Sequence, residues 1–339
     1  MWALQWKSMI RSSLGNTAYP YCLYIRTLDL RSLKDLLEDP LFREAALDEF
    51  FADDMATFLT AQETPMKQKV RGAKKAYRRL DAPKILELAG ESITKFISKS
   101  AAQNRATVTM EELAGQIPAG ALLTWTKRLS NLKTLTLWDG SVLNEHIGAA
   151  IAEGCPRFED LTFWSCLDPD SDHGLASFFS TLGNNTLRSF NAIRAGAVGP
   201  ETLLSLNCHA KSLRVLKLDG LRSEAIKNLS LLRECKALVN LEIADSNGLI
   251  NLEATENDVF LEIIAWLSQC HNLRELLFNN MISGPAILTQ VCLNNEVQLR
   301  ELHVDGYALH RNQDFHKSLT HQTHLEWLTL KAEAEGGWR

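Results

Sequence analysis

The sequence has no surplus of positive charge: 36 Lys and Arg stand against 41 Asp and Glu, a formal net charge of −5. Without a basic excess there is little to displace counterions from phosphates, so nucleic acid is not an expected partner. Long apolar runs are missing too, each being broken by charge or glycine well short of the ~20 residues a spanning helix requires. The opening MWALQWKSMIRSSLG carries polar and charged residues where a secretory leader would place its apolar stretch. These absences predict an intracellular chain, cytoplasmic or nuclear, with no membrane partner. The cysteines Cys22, Cys155, Cys166, Cys208, Cys235, Cys270 and Cys292 are odd in number, scattered and without a CxxC pair, which supports neither a disulfide framework nor a zinc site.

Signatures of catalysis are equally scarce. The chain has no HExxH, no P-loop, no GxGxxG after a strand and no GxSxG elbow. Ser130 and Lys133 match the SxxK spacing, but Leu132 between them belongs to a repeat, which makes the match accidental. His303 and Asp305 are two apart and share one face of a strand, an arrangement that permits an acid–base pair in principle but lacks a third partner. Asn184 and Asn228 open N-x-S/T sequences, which matter only in a secreted chain. The expectation is a protein with no catalytic residues, no metal and no cofactor.

What the chain does contain is apolar supply, 45% hydrophobic against 23% charged residues over 339 positions, and a phrase that returns. The phrase is L-x-x-L-x-L: LKTLTL from Leu132, FEDLTF from Phe158, LRSFNAI from Leu187, LRVLKL from Leu213, LVNLEI from Leu238, LRELLF from Leu273, LRELHV from Leu299 and LEWLTL from Leu325. First anchors are 26, 29, 26, 25, 35, 26 and 26 residues apart, in or near the leucine-rich-repeat period. The x-L-x-L part alternates with period two, so each copy predicts one strand with its leucines inward and the intervening residues outward. Stretches such as NEHIGAAIAEG, GLASFFSTLG, AIKNLSLLREC and VFLEIIAWLSQC follow with apolar residues three and four apart, predicting helical returns. No single repeat can cover its own apolar face, so the repeats must stack. The fold class expected is α/β: a leucine-rich-repeat solenoid or horseshoe with a parallel concave sheet, convex helices and a helical N-terminal region. Cys155, Cys235 and Cys270 each fall three residues before a first anchor, and read as packing residues of the repeat. The 35-residue interval holds ADSNGLINLEATEND, read as a loop excursion.

Upstream the pattern weakens to IRTLDL from Ile25 and MEELAG from Met110. The expected organisation is an N-terminal helical region over 1–107, with a first repeat strand near 25–30 and a basic loop near 62–80. The array then covers 108–331 and a tail 332–339. In the basic loop Lys67, Lys69, Arg71, Lys74, Lys75, Arg78 and Arg79 have no acidic neighbour between Pro65 and Leu80, which fits either a solvated loop or an anion-binding, nuclear-localisation-like patch.

The strand phase also writes out the concave face, where a partner protein would bind. The candidates are Trp138, Asp160, Trp164, Asp219, Glu242, Glu275, Glu301, His303, Asp305 and Trp327. Trp138 and Trp164 hold the same position in adjacent repeats and should be neighbours; they either form an apolar anchor for a partner or seal the array beneath a loop or helix. The acids, with Lys217 the lone basic residue among them, either favour a basic partner or keep a sheet face soluble.

The segments WKSMIRSSLGNTAYPYCLYIRTLDL, LKTLTLWDG, NLEATENDVFLEI and LRELHVDGYAL resemble fungal F-box leucine-rich-repeat proteins of the ribonuclease-inhibitor-like kind over nearly the whole chain. The resemblance implies the substrate-receptor half of an SCF-type ubiquitin ligase, with a target protein on the concave face. A Skp-type adaptor is implied as a partner only if an F-box precedes this chain, because the sequence opens at the segment that would follow the box. The other reading is a free-standing scaffold or inhibitor with no ubiquitin link.

Overall fold

The computed structural model describes residues 2–60, 80–105, 107–168, 170–248, 250–307 and 312–332. The basic run at 67–79 and the tail from 333 lie outside the described residues. The chain forms two compact units, Met1–Lys133 with Gly154–Arg157, and Thr134–Glu153 with Phe158–Arg339.

In the first unit two strands, β1 (Thr27–Asp29) and β2 (Glu112–Gly115), each begin two residues after an anchor, Ile25 or Met110, and pair in parallel with Leu28 beside Leu113. Asp29 closes β1 and at once caps the helix Leu30–Glu38, its carboxylate accepting from the Arg31 N–H at 3.0 Å, which satisfies one of the donors a helix start leaves open. The long helix Ala82–Asn104 is capped by Asp81, has Pro83 in its first turn and ends at Arg105 in the left-handed conformation. Its buried residues Ile85, Ala89, Ile93 and Ile97 recur every fourth position and form the apolar stripe the unit is built on. Gly90 sits on this stripe because the Trp125 ring, from the helix Ala119–Thr126, fills the space where a Cβ would lie. Glu91 beside it accepts from Trp125 Nε1 at 3.1 Å and from Arg128 at 2.8 Å; the Arg128 hydrogen bond holds its carboxyl below the usual range.

The second unit is a parallel sheet of eight strands. They are β3 (Thr134–Asp139), β4 (Asp160–Ser165), β5 (Ser189–Ala192), β6 (Val215–Leu221), β7 (Asn240–Asp245), β8 (Glu275–Asn279), β9 (Glu301–Tyr307) and β10 (Trp327–Ala332). Every one starts two residues after its first anchor, and the register carries Thr134 onto Asp160, Ser189, Val215, Asn240, Glu275, Glu301 and Trp327 without a slip. Since a one-residue slip would turn every leucine outward, the phrase itself locks the register. The inward pairs from Leu135 and Leu137 on β3 to Leu302 and Val304 on β9 are all buried.

Helices return the chain between strands: Glu145–Gly154, Asp172–Thr181, Pro200–Ser205, Asn257–Ser268, Gly284–Leu293 and Gln313–Ser318. AIKNLSLLREC departs from the expected helix, forming one turn at Ser223–Ile226 and a 3-10 turn at Leu229–Leu232. Its interval of 25 residues is the shortest of the array. The excursion in the 35-residue repeat is tied down rather than loose. Asn251 caps a turn at Leu252–Thr255, Leu252 is buried, and its N–H donates to Ser283 Oγ at 2.8 Å.

Polar groups inside the stack are satisfied from one repeat to the next. His209 accepts from the N–H of anchor Leu187 through Nδ1 at 3.5 Å and donates through Nε2 to the Phe179 carbonyl at 3.2 Å. Gln322 does the same further along, accepting from the N–H of anchor Leu299 at 2.9 Å and donating to the carbonyls of Cys292 and Val297. Cys155, Cys235 and Cys270 are buried, and burial pushes each thiol up to about 12. Such thiols pack and weakly donate; Cys270 Sγ reaches the Trp266 carbonyl at 3.4 Å. No helix among the described residues is long and apolar enough to cross a membrane.

Candidate functional site

The sheet of the second unit has one face packed into the core and one open, and the open face is three rows of side chains, each strand giving its first and third residue and all but β5 and β7 their fifth. The first row runs Thr134, Asp160, Ser189, Val215, Asn240, Glu275, Glu301, Trp327. The second runs Thr136, Thr162, Asn191, Lys217, Glu242, Leu277, His303, Thr329. Trp138, Trp164, Asp219, Asn279, Asp305 and Lys331 stand in the third.

Trp138 and Trp164 are each 38% exposed, and their rings stack with centroids 5.1 Å apart and planes 20° from parallel. The two turns behind them are held by Asp139, whose Oδ1 accepts from the N–H groups of Ser141 at 2.9 Å and Leu167 at 3.1 Å. Gly140 is buried against Phe163 and Cys166, where no Cβ would fit. The pair is therefore an exposed apolar plate on a fixed backing. Beside it in the first row, Asp160 accepts from Thr134 Oγ1 at 3.5 Å.

The acids of the ladder are not equivalent. Glu242 is engaged by Lys217 at 3.4 Å and by Asn279 Nδ2 at 3.4 Å. Glu275 accepts from Asn240 Nδ2 and stands next to Glu301 in register, like beside like. Asp305 lies between His303 Nε2 at 3.6 Å and Lys331 Nζ at 3.4 Å. Lys331 corrects the expectation that Lys217 is the lone cation of this face; it lies in the same phase, one step beyond Thr329. Asp219 has no ion pair among the described residues, and desolvation followed by the charge of Glu242 raises its pKa. Trp327 is 71% exposed on β10, beside Glu301.

The structure thus brings Trp138 together with Trp164, Glu275 with Glu301, and His303 with Asp305, and sets Trp327 at the far edge of the same sheet. Two apolar members of the open face are not among the candidates drawn from the sequence, half-buried Leu277 in the second row and Ile193 in line with Trp164. Counting phase without regard to residue type finds both. Among the described residues no three His, Cys, Asp or Glu are grouped to hold a metal ion. No protein-family model and no curated protein matches the chain.

Proposed function

We propose that the chain is a non-catalytic protein-recognition module, a leucine-rich-repeat array whose strand face forms the concave side of a horseshoe and holds a target protein there. One observation carries this reading: the stacked, exposed Trp138 and Trp164 on a sheet face whose other side is a packed core. Tryptophan is the side chain most enriched at binding hot spots, and a rigid, prestacked pair gives large contact area at small entropic cost. Eight strands in one register supply the stiff frame on which such a surface is useful.

Affinity purification with the intact chain and with the Trp138→Ala/Trp164→Ala variant tests it. Partners held by the intact chain should be lost from the variant while its melting temperature stays nearly unchanged. Identical partners in both, or a collapse in stability, sinks the reading. The sequence resemblance further supports a substrate-receptor role in an SCF-type ubiquitin ligase. Co-purification of a Skp-type adaptor with the longest form of the protein tests that role; its failure favours a free-standing scaffold or inhibitor.

A further inference from the structure

We propose that the open face takes an extended peptide segment that lays a bulky apolar side chain on the Trp138–Trp164 plate and, about three residues along, a lysine or arginine on Asp219. This rests on the recognition reading above and names the chemistry of the partner.

Three features lead to it. First, the plate is bounded on one side by a continuous path. The Ile193 N–H donates to the Phe163 carbonyl at 3.0 Å, which keeps Ile193 in line with Trp164 although β5 ends one residue earlier, and the Ala195 N–H donates to the Asp219 carbonyl at 2.6 Å. Half-buried Ile193 therefore lies between the plate and Asp219, and a ligand crossing from one to the other meets an apolar floor.

Second, Asp219 is an exposed carboxylate with no cation paired to it among the described residues, while Lys217, on the same strand, is spent on Glu242. A like charge close by and no counter-charge is an arrangement that a cationic side chain relieves. Beyond β6 the face carries Glu242, Glu275 and Glu301, so the field on this side of the plate favours an incoming positive group and repels an acidic one.

Third, the spacing selects the ligand's geometry. Trp164 and Asp219 are two strands apart, about 10 Å at ~4.8 Å per strand, and a polyproline II segment covers about that in three residues at ~3.1 Å each. A peptide in the polyproline II conformation, with three residues per turn, presents side chains three apart to the same face, whereas a β-extended one would turn them to opposite faces.

Selection from a displayed library of random dodecapeptides on the intact protein tests this, with counter-selection on Trp138→Ala/Trp164→Ala. Enriched peptides should carry an aromatic or branched apolar residue followed three positions on by Lys or Arg. Asp219→Asn should weaken the best of them about tenfold, an effect that shrinks with added salt, with melting temperature retained. Peptides that need the tryptophans but show no basic position, or that bind Asp219→Asn as well as the parent, overturn the cation half and leave the recognition reading standing. Enrichment that is indifferent to the tryptophans overturns both.

Discussion

The first strand of the chain and the last are written in the same phrase, IRTLDL and LEWLTL, yet their central leucines meet different surroundings. Leu28 on β1 is 1% exposed, buried in a unit whose core also holds Ile10, Leu33, Leu37, Ile85 and Ala89. Leu328, at the corresponding position on β10, is 44% exposed, and β10 pairs with β9 alone among the described residues. The phrase makes a strand in both places, but it does not bury one. Burial comes from whatever stacks next, and in the first unit helices peculiar to that unit do what a further repeat does elsewhere.

Truncation should expose this difference most strongly. Leu28→Ala removes side-chain volume from a closed core and should cost about 3 kcal/mol in urea unfolding, while Leu328→Ala should cost under about 1 kcal/mol. Leu302→Ala, one strand before β10 and fully buried, should fall with Leu28. Equal losses at Leu28 and Leu328 would erase the contrast.

The stack between the two ends has its own pH signature. Burial drives the His209 pKa down to about 4 from an ordinary 6.5, and the Phe179 carbonyl only partly offsets that. Because the folded form resists the proton, stability is full above pH 6.5, falls as pH drops and the unfolded chain protonates, and levels off below about 4; the whole loss is at most about 3 kcal/mol. Gln322 already bridges backbone groups in the same manner without a titrating ring, so His209→Gln should leave stability at pH 7 within about 1 kcal/mol and flatten the slope between pH 6.5 and 5. An unchanged slope in thermal melts would mean that another group titrates.

A smaller effect is expected where the first unit depends on closeness rather than bulk. Gly90→Ala places a methyl group in the Trp125 ring, and helix propensity alone would favour alanine by about 1 kcal/mol. Net destabilisation of about 2 kcal/mol, with a blue-to-red shift of buried tryptophan emission, would show that ring contact decides; a gain in stability would show that the two helices simply move apart.

Most of the second unit is legible in the sequence because x-L-x-L states strand, phase and facing at once. All eight strands begin where the anchors place them, and Trp138 and Trp164 meet because equal positions in adjacent repeats must. What the sequence concealed is information held between repeats. Lys331, Leu277 and Ile193 share the open face and its phase, although the candidates drawn from that phase do not include them. The excursion near Asn251 reads as a loop from its Asn, Gly and acids, but the buried Leu252 fastens it. In the first unit the helices show in the pattern, whereas the fit of Trp125 against Gly90 depends on which faces meet, and no periodicity encodes that.

The smallest expected effect is also the sharpest test of the last strand. An edge strand offers its unpaired backbone groups as a template for pairing with another chain, and proteins commonly blunt such edges with charge. Leu328→Lys should therefore change unfolding free energy by no more than about 0.5 kcal/mol, because a 44% exposed side chain gives up little burial and the lysine stem can lie along the same surface. The same substitution at Leu302 buries an ammonium and should abolish folding. Self-association, followed by sedimentation velocity across a concentration series, should fall or stay constant in Leu328→Lys. If the variant instead unfolds like Leu302→Lys, then Leu328 is covered in solution, and the last strand is as enclosed as the first.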